Sequence, residues 1–118
     1  MRDMDLADLD GDGKKEIIVG TYEGLVVALS CKCEKVWAKR LPSAPAVIKC
    51  VTPAGAKTPW VVVGCDDGTV VALDGKGEPV RLGKVDGRPE QALVLQIGGV
   101  SMVVLATDKG EVKVFKPQ

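Results

Sequence analysis

An internal repeat restricts the fold of this chain more than any other feature. Ile17-Ile18-Val19-Gly20-Thr21-Tyr22-Glu23-Gly24-Leu25-Val26-Val27-Ala28-Leu29 returns 44 residues later as Val61-Val62-Val63-Gly64-Cys65-Asp66-Asp67-Gly68-Thr69-Val70-Val71-Ala72-Leu73. A weaker third copy, Val103-Val104-Leu105-Ala106-Thr107-Asp108-Lys109-Gly110-Glu111-Val112-Lys113-Val114-Phe115, follows 42 residues after that. A period of this length marks one supersecondary unit stacked in series, because a single unit cannot bury its apolar surface alone.

Each copy reads as an apolar run, a polar turn closed by glycine (Gly24, Gly68, Gly110) and a second apolar run. That is a β-hairpin, with glycine supplying the positive φ of the turn. Apolar segments at Met4–Leu9, Ala46–Val51 and Ala92–Ile97 add a strand before each hairpin, and Val36–Lys39 and Val80–Leu82 add one after the first two. The fold class is therefore all-β: three antiparallel meanders at about 4–41, 45–86 and 90–118, the third lacking its outer strand. Helical readings fail, since no sustained i, i+3, i+4 stripe appears.

Four strands at this period form the blade of a β-propeller, in which radial stacking covers both faces of each meander. Leu25–Leu29 and Val70–Leu73 are continuously apolar, as strands covered on both faces are. Glu111-Val112-Lys113-Val114-Phe115 alternates instead, so the third blade is expected to have one face less covered. The competing arrangement is a two-layer β-sandwich in which the duplication carries no radial symmetry.

A propeller closes with about four blades or more, so a chain encoding three is expected to associate through the apolar faces of its end blades. Two copies would make a six-bladed homodimer, the simplest closed ring available to identical chains. Further blades in a longer parent protein are the other route to closure.

Chemistry is narrowly bounded. The absence of histidine removes His-based acid/base catalysis and the commonest transition-metal ligand. Asp66, Asp67 and Asp108 sit in hairpin turns, where aspartate serves backbone geometry. No enzyme is expected. Sixteen basic and sixteen acidic residues give no net attraction for nucleic acid or anionic membrane. No run of about 18 apolar residues could span a bilayer, and Met1–Asp5 lacks the apolar stretch of a secretory signal, so the chain reads as soluble with its compartment open. Cys50 and Cys65 fall in or beside apolar strands and act as small hydrophobes, while Cys31 and Cys33 make no CxxC pair. Of the four aromatic residues, Tyr22, Trp37 and Trp60 are candidates for stacking on a sugar but more commonly pack inside blades.

One segment carries a site. Asp8-Leu9-Asp10-Gly11-Asp12-Gly13-Lys14-Lys15-Glu16 places carboxylates at positions 1, 3, 5 and 9 of a tight loop. Alternate side chains of such a loop converge, glycines allow the sharp turn, and a backbone carbonyl adds an oxygen, giving the all-oxygen shell that calcium prefers. The expected ligands are Asp8, Asp10, Asp12, the Lys14 carbonyl and Glu16. A solvated, turn-forming cluster is the bland alternative. An EF-hand does not fit, because a strand rather than a helix follows at Ile17-Ile18-Val19 and no glutamate stands at position 12. The equivalent turns at 52–59 and 98–101 hold no carboxylate, so a single ion is expected.

Ala7-Asp8-Leu9-Asp10-Gly11-Asp12-Gly13 running into Ile17-Ile18-Val19-Gly20 resembles the FG-GAP and VCBS repeats of integrin-like propellers. Gly24–Leu29 leading to Lys35-Val36-Trp37, and Gly68–Asp74 leading to Gly77-Glu78, resemble the PQQ-type propeller repeat, although Arg81 stands where Trp37 would recur. What the resemblance implies is the fold and, in the first blade, the calcium loop; propellers host too many activities for more to transfer. The expected function is a non-enzymatic binding or scaffold module with a protein partner. A lectin-like or small-molecule-binding propeller is the alternative.

Overall fold

A computed structural model describes residues 3–9, 13–52, 58–97 and 100–115. Eleven strands are present among them: β1 (Asp3–Ala7), β2 (Glu16–Gly20), β3 (Leu25–Leu29), β4 (Lys35–Arg40), β5 (Pro45–Val51), β6 (Trp60–Cys65), β7 (Thr69–Leu73), β8 (Pro79–Lys84), β9 (Pro89–Ile97), β10 (Val100–Thr107) and β11 (Val112–Phe115). They form three antiparallel meanders, β1-β2-β3-β4, β5-β6-β7-β8 and β9-β10-β11, with every neighbour in the sheet also a neighbour in sequence. No helix among the described residues is long and apolar enough to cross a membrane.

The hairpin turns form as their glycines require. Gly24, Gly68 and Gly110 have φ of 90°, 92° and 84°, values that an L side chain rarely adopts. Behind each of the first two turns the chain is tied down again, by Leu41 N–H to the Gly24 carbonyl and Val85 N–H to the Gly68 carbonyl, both at 2.8 Å.

The sheets pack in chain order as three layers around two cores, in place of a two-layer sandwich. Ile18, Val26 and Ala28 of the first sheet meet Ile48, Val61, Val63, Val71 and Leu73 of the second. The opposite face of the second sheet, Val47, Val62, Val70 and Ala72, meets Val103 and Leu105 of the third. The leading strands converge, β1 against β5 and β5 against β9. Glycine permits this approach. A Cβ on Gly20 would stand 2.9 Å from Pro45 Cβ, and one on Gly64 would stand 2.9 Å from Pro89 Cγ. The third copy carries Ala106 at this position, on the face of its sheet that is turned away from the second.

Burial separates the central sheet from its neighbours. In β7, Val70 to Leu73 are all buried, whereas β3, equally apolar, alternates between buried and half-buried. The run Leu25–Leu29 therefore does not have the two-sided cover that its composition suggested, because one sheet packs on it from one side only. β11 is exposed except at Phe115, in line with its alternating sequence.

Candidate functional site

The loop joining β1 to β2 is closed by its own acids. Gly13, at φ 86°, donates its N–H to Asp8 Oδ2 at 2.8 Å, and Leu9 donates its N–H to Glu16 Oε1 at 2.8 Å. Glu16 is buried, and the Leu9 N–H offsets part of the cost of desolvating its carboxylate. Leu9 is buried too and fixes the loop against the second sheet, its carbonyl pressing where Gly75 has no side chain. Of the expected calcium ligands, Asp8 and Glu16 thus stand at the two ends of one tight loop, with exposed Lys14 between them. Asp10 and Asp12 lie outside the described residues. Among those that are described, no group of three or more His, Cys, Asp or Glu side chains gathers at one point.

Next to this loop an open pocket of about 360 Å³ is lined by Leu6, Ala7, Asp8, Cys50, Thr52 and Pro59. It lies between the ends of β1 and β5, and Asp8 belongs to both the loop and the pocket. Burial, and secondarily the Asp5 carboxylate, pushes the Cys50 thiol up to about 12. Cys65, fully buried, is likewise pushed up to about 12 by burial. Both behave as the small hydrophobes their strand positions implied.

Two further acids take a role that the repeat pattern signalled without explaining. Asp3 Oδ1 accepts from Met4 N–H (2.9 Å) and Oδ2 from Ile48 N–H (2.8 Å). Asp5 accepts likewise from Leu6 N–H and Cys50 N–H, both at 2.9 Å. Each carboxylate spans the leading strands of two adjacent sheets and satisfies edge N–H groups that no β-ladder reaches. In β5 the equivalent positions, 44 residues on, are Val47 and Lys49, which cannot accept. Acids alternating at 3 and 5 against non-acids at 47 and 49 are the signal that was there to be read.

At the outer rim the first sheet clasps the second. Trp37 Nε1 donates to the Gly75 carbonyl at 3.1 Å, and its ring covers Gly77, where a Cβ would come within 2.7 Å. Trp37 and Trp60 are both part-buried against the cores, while Tyr22 is exposed on the β2–β3 turn. Two of the turn acids hold backbone N–H groups. The Thr69 backbone N–H, bonded to Asp67 Oδ1 at 2.9 Å, holds the Asp67 carboxyl below its usual range. Asp108 Oδ1 accepts from Arg88 N–H at 2.9 Å.

The family model for the lambda-carrageenase beta-propeller domain matches residues 1–85. Among solved structures, BBS1N, crystallised in complex with ARL6DN, superposes with a TM-score of 0.77 at 18% identity, over 93% of this chain and 32% of that one. BamB from Moraxella catarrhalis superposes with a TM-score of 0.65 at 19% identity, over 93% of this chain and 33% of that one. The likeness is one of fold: these are propeller-like neighbours, and the chain spans about a third of their length. No curated protein matches it in sequence.

Proposed function

The chain belongs to the lambda-carrageenase β-propeller domain family, and on that premise we propose that it is a non-enzymatic binding and scaffold module, a three-blade propeller segment pinned by one structural calcium ion. The observation that carries this reading is the contrast between strands β5, β6 and β7 of the middle sheet, covered on both faces, and the end sheets, each with an apolar face turned outward. On the first, Met4 and Leu6 are 45% and 50% exposed; on the third, Leu93 and Val112 are 57% and 66% exposed. These residues share one face of each sheet with Val19 and Ile17, and with Val104 and Ala106. Such faces in a soluble protein mark association surfaces, and covering them contributes about 25 cal/mol per Å² of apolar area.

A second copy supplies the cover most simply. The first sheet of one chain would meet the third of the other at two symmetric seams, giving six blades. Calcium would be held by Asp8, Asp10, Asp12, the Lys14 carbonyl and Glu16, and would supply only charge neutralisation and a cross-link within the loop. Light scattering of the purified chain, with calcium and with a chelator, tests both parts. A dimer mass that persists in calcium supports the reading; a monodisperse monomer in both conditions removes the second copy as the cover.

One observation favours a second arrangement. Because the chain spans about a third of BBS1N and BamB, it would also fit as part of a longer single-chain ring. Partners of protein type are proposed for either arrangement, in keeping with the BBS1N–ARL6DN complex. The family name also gives the lectin-like alternative a concrete probe: retardation of the chain in a gel containing lambda-carrageenan would move the reading from scaffold to glycan binding.

A further inference from the structure

The β3–β4 turn, Ser30-Cys31-Lys32-Cys33-Glu34, and the β7–β8 turn, Asp74-Gly75-Lys76-Gly77-Glu78, are the same structure built twice. In the first, Ser30 N–H donates to the Glu34 carbonyl and Cys33 N–H to the Ser30 carbonyl, both at 2.8 Å; in the second, Asp74 and Gly77 repeat these bonds at 2.9 and 3.0 Å. The Ser30 hydroxyl accepts from the N–H groups of Lys32 and Glu34, as Asp74 Oδ1 does from Lys76 and Glu78. On this common frame the two glycines of one turn are two cysteines in the other. Cys33 has φ 64°, and is the sole non-glycine residue with positive φ among those described. An L side chain is disfavoured there, and Gly77 shows that the turn closes without one. Both cysteines are exposed, so neither sulfur packs in a core.

We propose that Cys31 and Cys33 form a chelating dithiolate site for a soft, thiophilic monovalent cation of the Cu(I) class. Residues two apart lie within about 7 Å by chain geometry and closer on a turn, so both sulfurs reach one ion. The turn is fixed by four hydrogen bonds before any ion arrives, which spares the ordering cost of a flexible loop. Softness follows from the donors: two thiolates with no histidine anywhere in the chain suit a low-coordinate soft cation, whereas Zn(II) asks for four ligands. Lys32, between the cysteines, and Lys35, just after, bring positive charge to a site whose two thiolates would outweigh one monovalent ion. The other two thiols, Cys50 and Cys65, lie on different strands of the second sheet and are held protonated, so they do not compete.

Anaerobic titration of the reduced full chain with Cu(I), against bicinchoninate as a competing chromogenic chelator, tests the site. One equivalent per chain is expected, with thiolate-to-copper charge-transfer absorption in the ultraviolet. Cys31→Ser and Cys33→Ser should each weaken binding at least about 100-fold, since one thiol alone forfeits the effective concentration of the second. Cys33→Gly restores the residue that the sister turn uses, so it should unfold at higher denaturant than the parent while losing Cu(I) to the same extent, which separates loss of the site from loss of the fold. Copper bound equally well by the single-cysteine variants, no binding against bicinchoninate, or Zn(II) held as tightly as Cu(I) would each overturn the assignment.

Discussion

Replacing Asp5 with alanine tests whether carboxylates hold the leading strands together. The side chain accepts from Leu6 N–H on its own strand and from Cys50 N–H on β5, both at 2.9 Å. The Leu6 bond lies at the exposed side, where water replaces it at little cost. Cys50 N–H is part-buried on an edge that no ladder pairs, and an unsatisfied buried donor costs about 1–3 kcal/mol. Asp5→Ala should therefore lower stability by about 1–3 kcal/mol, seen as a drop in urea midpoint with the slope unchanged. A second readout comes from the thiol beside it. Asp5 contributes, after burial, to pushing Cys50 up to about 12. Without that charge the thiol ionises more readily, and since Cys50 lines the pocket, its alkylation by iodoacetamide at pH 9 should speed up. Asp5→Asn, which keeps one acceptor oxygen, should fall between parent and alanine in stability. Equal stability of parent and Asp5→Ala to within about 0.3 kcal/mol, together with unchanged alkylation of Cys50, would refute the clamp.

Three further outcomes are expected. Trp37→Phe removes the bond to the Gly75 carbonyl and should cost about 1 kcal/mol, whereas Gly77→Ala strains a φ of 83° and strikes the Trp37 ring, so it should cost more than Trp37→Phe in the same urea titration. Gly64→Ala places a Cβ 2.9 Å from both Pro89 and Val47, and overpacking of this kind should lower the thermal midpoint by the equivalent of about 1–3 kcal/mol, while Ala106→Gly, inside β10 on the face turned away from the second sheet, should cost only the backbone freedom of a strand glycine, about 0.5–1 kcal/mol. Stability should also fall in alkali. The folded chain holds the Cys65 thiol up to about 12 while the unfolded chain ionises it near 9.0, so its contribution is complete below pH 9 and is lost as pH rises toward 12, by at most about 1.4 kcal/mol per pH unit. Cys65→Ala should flatten the decline in urea midpoint between pH 9 and 10.5; an identical slope in parent and variant would show that this thiol does not drive it.

Period and backbone chemistry were legible in the residues themselves. A hairpin needs a positive φ at a fixed offset and a strand needs an apolar run, both local demands, so Gly24, Gly68 and Gly110 mark their turns and the 44-residue period sets the order of the strands. The alternation of β11 likewise announced an exposed end sheet. Cover, by contrast, is decided between units. β3 and β7 are alike in composition, yet only β7 lies between two sheets, and nothing within five apolar residues records whether a neighbour stands on the far side. The same holds for the acids. Asp8, Asp10, Asp12 and Glu16 share a spacing that suits a cation, but it is packing that turns Glu16 inward against Leu9 N–H and sets Asp8 at the mouth of a pocket. Asp3 and Asp5 meet donors 45 residues away, and Gly20 and Gly64 make room for prolines that begin the next sheet. Local preferences specify each meander; the contacts that give its side chains their tasks arise only when one meander is laid against the next, because those contacts join residues that the chain itself keeps far apart.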